Sequence, residues 1–151
     1  MRILKKLILV SLLCLNITIC LAPSLPKQSI GIEQINCLAS AIYHESGNQR
    51  LQGQQAVAFV IFNRSKKYNL DVCHVVNQTI AGKRQFRWIE TKILYKETYN
   101  KVVNLATSMY LNPSYYKDNT GNALFFHSRF VNPEWKYKRT VRIQDHIFFT
   151  L

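Results

Sequence analysis

Acidic side chains are scarce in this 151-residue chain: 8 Asp and Glu stand against 20 Lys and Arg, a formal net charge of +12. Such an imbalance points to an anionic partner, whether nucleic acid, lipid surface or bacterial wall. Also missing is an apolar run of the roughly 20 residues that a membrane span needs. No internal repeat or low-complexity tract follows Lys27, and the length leaves room for one modest core and no separate binding repeat. A paired-histidine helix motif is lacking too, since Glu45 is followed by Ser-Gly-Asn-Gln, so no metal or other cofactor is expected.

The chain opens on a basic head, Met1 to Lys6, followed by an apolar stretch from Leu7 to Ala22. Pro23 and Pro26 then stop any helix. This is the pattern of an export signal over residues 1–26. Cys20-Leu-Ala22 resembles a cleavage site, but Pro23 disfavours cutting, so a weak membrane anchor with transient membrane association stays open. Either outcome places residues 27–151 outside the cytoplasm, in a periplasmic or extracellular envelope, and removes nucleic acid as a partner. Two of the four cysteines lie in the leader, leaving Cys37 and Cys73. An oxidising compartment favours a disulfide between them, with two separately buried thiols as the alternative.

Apolar spacings of three and four predict a helix over Gly31–Ser46, capped by Ser29, and a second, centrally buried helix over Leu51–Tyr68. Asp71 can cap a short third helix through Val76. Thr79–Glu90 reads as a loop, and a long helix is expected from Thr91 to Leu111, ended by Asn112-Pro113. The period then changes. Ala123–His127, Arg139–Ile143 and His146–Phe149 are β-favouring runs, the last two joined at Gln144-Asp145, so the class is α+β, mostly helical with a small antiparallel sheet near the C-terminus.

Of the acids, Glu33 falls in the first turn of its predicted helix and Asp71 at a cap, while Glu90 and Glu97 accompany a lysine-bearing helix and Asp118 and Asp145 sit at turns. Glu45 differs. It closes an apolar helix, where the negative pole of the helix dipole disfavours a second negative charge, and Tyr43 nearby adds desolvation. A carboxyl group kept protonated is what donating a proton to a glycosidic oxygen requires. A solvated residue at a helix end is the plainer alternative.

Cys37-Leu-Ala-Ser-Ala-Ile-Tyr-His-Glu45-Ser46 resembles the opening motif of the cell-wall hydrolase family typified by spore-cortex-lytic enzymes. Gly53–Arg64, Val72–Val76, Gln85–Trp88, Ala123–His127, Val131–Trp135 and His146–Phe149 resemble its later segments in order, across residues 35–149. The resemblance implies a lysozyme-like domain that binds peptidoglycan and cleaves between N-acetylmuramic acid and N-acetylglucosamine, with Glu45 at the catalytic position. Two departures stand out: Arg84 and Ile89-Glu90 replace a cysteine pair common in the family, and Gln144-Asp145 replaces a glycine-asparagine turn.

No second acid lies at a comparable motif position, which favours a one-acid lytic transglycosylase. A muramidase assisted by Asp118 or Glu134 is the close rival, and a wall-binding protein without catalysis the remote one. Gln85, Phe86 and Trp88 supply amide and ring faces for sugar, with Tyr115, and Tyr116 beside it, as an extension. His127 and His146 are candidates to orient substrate, whereas Trp135 is expected in the core. Cys73-His74 makes a poor nucleophile pair, because adjacent helical residues point apart. Lys83, Arg84 and Arg87, with Lys136, Lys138, Arg139 and Arg142, form basic groups that either attract wall polymers or simply solvate the surface. A monomer is expected. Phage lysis (as an endolysin), spore germination and host wall remodelling all fit.

Overall fold

The computed structural model describes residues 27–80, 82–86 and 92–151. The leader of residues 1–26, and with it the export reading, lies outside the described residues, as do Arg87, Trp88 and Glu90. Three helices come first: α1 (Lys27–Ser46), α2 (Leu51–Tyr68) and α3 (Val72–Val76). Two-residue strands β1 (Thr79–Ile80) and β2 (Lys83–Arg84) pair where a plain loop was expected. Helix α4 (Lys96–Leu111) precedes a three-stranded antiparallel sheet of β3 (Phe125–Ser128), β4 (Lys138–Ile143) and β5 (His146–Thr150), in spatial order β3-β5-β4.

Helix α1 begins four residues before its predicted start, so Ser29 lies inside it and Glu33 beyond its first turn. Apolar spacing reports the face a helix buries, and it falls silent over the polar turn Lys27–Ile30 that lengthens it. The reverse holds for α4, which starts five residues late. Its N-terminal approach is tied instead to α1, through the Tyr43 hydroxyl, which accepts bonds from Leu94 N (3.2 Å) and Tyr95 N (3.0 Å). Asp71 caps α3 as expected, accepting from His74 N at 2.8 Å.

Helix α2 is apolar over much of its surface because it is sandwiched. Val57, Ala58 and Ile61 join Leu38, Ile42, Val75, Val102 and Met109 in a helical core. Ala56 and Val60 face the other way, packing with Ala123 and Phe148 under the sheet. Cys37 and Cys73 clip α1 to α3 as a disulfide, with Cα atoms 5.3 Å apart. At the β4–β5 turn, Gln144 takes the left-handed φ of 51°, a conformation that glycine or asparagine adopts more readily. Its side chain accounts for its presence: Oε1 accepts from Arg50 N at 2.9 Å and Nε2 donates to Arg50 O at 3.4 Å. The hairpin is thereby fastened to the start of α2.

Candidate active site

Glu45 occupies the last turn of α1, half-buried. The helix is stopped immediately after it. Ser46 is buried and donates its hydroxyl to Ile42 O at 3.0 Å, and Gly47 N bonds Tyr43 O at 2.9 Å. A Cβ on Gly47 would fall 2.5 Å from that same carbonyl oxygen, so only glycine permits this exit. The chain then turns through Asn48 and Gln49 into α2, with Gln54 Nε2 bonding Gln49 O at 3.1 Å.

A cavity of about 260 Å³ opens where the end of α1 meets the sheet. Glu45 lines it with Val60 and Arg64 of α2, Gln85 and Phe86, the stretch from Leu124 to Ser128, Trp135 and His146. Strand β3 is one of the sheet's two edges, and four successive residues of it, from both of its faces, reach the cavity. Glu45 is the one carboxylate among the described residues of this lining.

Two of the polar groups in that wall are at least nine-tenths buried. Arg64 is 4% exposed, and its guanidinium donates from Nη2 to Gln78 Oε1 while Nε has no hydrogen-bond partner among the described residues. Burial pushes its pKa down, and the field of Tyr68 offsets this in part. His146 is 6% exposed. Burial lowers its pKa, the Asp145 charge acts against this, and His127 reinforces it. Nδ1 of His127 meets Ser128 O at 2.8 Å; only a protonated Nδ1 can bond a carbonyl oxygen, which fixes that tautomer.

The six expected substrate-binding residues divide. Gln85, His127 and His146 join Glu45 in one cavity wall. Phe86 also lines it, but at 2% exposure its ring is core, set against Phe126, and does not offer a sugar-facing surface as expected. Tyr115 is 83% exposed in the 3-10 turn Pro113–Tyr115, away from the cavity; that turn carries it outward from the end of α4. Its neighbour Tyr116 points inward, its hydroxyl donating to Ser108 Oγ at 2.6 Å. Trp88 is outside the described residues. Trp135 reverses the expectation of a core residue. It is 39% exposed at the cavity mouth, its ring edge against His127 and Phe149 at 5.3 and 5.6 Å. Beside it Tyr137 stacks on Phe125 at 4.4 Å. Its place in Val131–Trp135, a motif away from any periodic element, was the signal for a loop position.

The proposed helper acids are not in the cavity wall. Burial alone would raise the Asp118 pKa, but bonds from Thr120 Oγ1, Asn63, Thr120 N and Asn122 N outweigh it and hold the carboxyl below its ordinary value. Those bonds occupy both oxygens in folding the turn. Glu134 is exposed. No group of three or more His, Cys, Asp or Glu side chains converges on a point among the described residues.

A helical core, a small closing sheet and, among the described residues, one carboxylate in the cavity where the two meet define the class: an α+β domain, mostly helical with a small antiparallel sheet. The chain belongs to the cell wall hydrolase family, whose sequence profile matches residues 48–149, and is thus a cell-wall-degrading enzyme. Among solved structures it is similar to the catalytic domain of the Bacillus cereus SleB protein, a spore-cortex-lytic enzyme, at 28% identity and a TM-score of 0.56, over 78% of this chain and 89% of that one. No curated protein sequence matches. The profile match starts three residues after Glu45, so the role of that residue rests on the cavity and on the motif around it.

Proposed function

We propose that this protein cleaves peptidoglycan glycan strands between N-acetylmuramic acid and N-acetylglucosamine as a lytic transglycosylase, with Glu45 as its sole acid and base. The supporting observation is the cavity lining, in which Glu45 has no second described carboxylate beside it. Paired-carboxylate glycosidases place two acids roughly 5 to 9.5 Å apart across the bond. Here a single group serves twice. Protonated Glu45 gives its proton to the glycosidic oxygen as the bond to the muramic anomeric carbon breaks. The resulting carboxylate takes the proton of the muramic C6 hydroxyl, whose oxygen closes on that carbon. Glu45 ends protonated, the product carries a 1,6-anhydro end, and no water is consumed.

Gln85, His127 and His146 would contact the sugar, with Trp135 at the mouth. Lys136, Lys138, Arg139 and Arg142 are all exposed, an outer charge suited to an anionic wall. The enzyme would act in the cell envelope after export directed by residues 1–26. No described helix is long and apolar enough to cross a membrane.

Hydrolysis of the same bond is the second reading, and the family's description as a hydrolase favours it. Mass spectrometry of fragments released from purified sacculi in ¹⁸O-labelled water separates the two. Anhydro ends without label are expected; reducing muramic ends carrying ¹⁸O would establish the muramidase instead. Release of no fragments at all would leave a wall-binding protein.

A further inference from the structure

The loop that follows Glu45 is joined to β5 by one side-chain contact across 97 positions of sequence: Gln49 Nε2 lies 3.2 Å from His146 Nδ1. Which way that amide faces decides which nitrogen of the imidazole carries the proton. The packing of Gln49 favours one orientation, at the cost of leaving Oε1 buried without a conventional hydrogen-bond donor. Its Oε1 lies 2.3 Å from where a Cβ on Gly53 would be, so the oxygen rests on the bare CαH₂ of the glycine. A carbonyl oxygen accepts such a C–H contact, whereas an NH₂ group turned there would press hydrogens on hydrogens and leave two buried donors unused. Nε2 of Gln49 is therefore the donor and Nδ1 of His146 the acceptor. In a neutral imidazole the proton is then on Nε2, at the opposite edge of a ring that lines the Glu45 cavity. No described group bonds that nitrogen.

We infer that His146 is a neutral hydrogen-bond donor, fixed in its Nε2–H form by Gln49 and Gly53, and that it recognises the carbonyl oxygen of a sugar acetamido group. This deepens the glycan-cleaving reading above and rests on it. Although His146 as a residue is 6% exposed, its Nε2 opens onto the cavity, where the acceptor of a ligand takes the place of water. In a peptidoglycan strand the acetamido carbonyl is a strong acceptor that carries no competing proton and stands on every sugar, whereas the lactyl carbonyl stands on the muramic residues alone. The same place is hostile to the de-N-acetylated sugar. Its ammonium has only protons to offer His146, and the buried guanidinium of Arg64 lines the same wall. The site thus reads the acetylation state of the wall. Gln49 and Gly53 are positioning residues, acting through the imidazole without touching the substrate.

Gly53→Ala isolates the device. The added methyl meets first the end of a flexible side chain, so Gln49 must move, while alanine suits the helix better than glycine. Nitrogen-15 NMR of the histidine rings in the full chain at neutral pH reads the tautomer without any substrate. Wild type should show Nε2 protonated and Nδ1 bare at His146, and Gly53→Ala should lose that single pattern. Wild type should also cut N-acetylated glycan strands about tenfold or more faster, in kcat/KM, than chemically de-N-acetylated ones. Gly53→Ala and Gln49→Leu should shrink this preference by about fivefold, the worth of one neutral hydrogen bond, without lowering the melting temperature of Gly53→Ala. A His146 found as the Nδ1–H form or as imidazolium in wild type overturns the inference. So does equal cutting of the two glycans, or a Gly53→Ala protein identical to wild type in both readouts. Failure of the parent reading looks different: Glu45→Gln would then still cleave, whatever His146 reports.

Discussion

The helical half and the sheet half of this domain are held together by opposite means. In the first, Leu38, Ile42, Val57, Ile61, Val102 and Met109 are fully buried, and the disulfide adds a covalent clip. In the second, Phe148 is the single aromatic of the sheet buried completely, while Phe125, His127, Phe149, Trp135 and Tyr137 stack against one another half in solvent. Polar links add to the small apolar cluster under Phe148 in fastening this half, from Gln49 to His146 and from Gln144 to Arg50. The helical half carries Glu45 at the end of a closely packed core. The sheet half presents half-exposed rings, and the cavity lies along their seam.

The contrast would be broken most directly by trimming one aromatic on each side of the sheet. Phe148→Ala should cost about 3 to 5 kcal/mol, because it empties the space between α2 and the sheet. Tyr137→Ala, at 38% exposure, should cost under about 1 kcal/mol. Denaturant melts check both, and equal losses would mean that the two faces are not distinct. Next in size is the clip: replacing Cys37 and Cys73 by serine together should remove about 3 to 4 kcal/mol in the chain-entropy picture. The smallest effect is a pH slope. His146 in the folded chain holds its proton less well than the ordinary value of 6.5, so the unfolded chain takes up a proton first as pH falls. Its contribution to stability is complete above that ordinary value and is lost as pH drops through the folded value. Asp118, held below its ordinary 3.8, behaves likewise in a lower window, stabilising above that value and losing its effect as pH falls beneath it. Unfolding free energy measured from pH 7.5 to 5 should fall less in His146→Gln than in wild type, and a parallel fall would remove the histidine from this account.

The helical half was the more legible in sequence because its stability is local and periodic. Helix α2 has the predicted bounds, Leu51–Tyr68, since a helix that packs on two sides is apolar along its whole length. Glu45 could be singled out from a dipole argument and a motif within one element. The sheet half resisted. Nothing near Trp135 or Phe86 in the chain says which aromatic ring is covered; packing between distant segments decides, and the two exchange their expected places. Gln49 gave no signal either, and Gly53 only as the first residue of a motif, because the residue that joins them to the sheet is a histidine far along the chain. The turn at Gln144-Asp145 was legible as a turn, but the reason for its glutamine lay on Arg50.

One variant reaches the central claim. Glu45→Gln keeps the shape of the side chain and removes the proton that leaves with the sugar. It should bind sacculi and melt as wild type does, while fragment release falls by about 10²- to 10⁴-fold, the usual worth of a general acid. Fragment release at the wild-type rate from that protein would contradict the account, and the chemistry would have to be sought in another group.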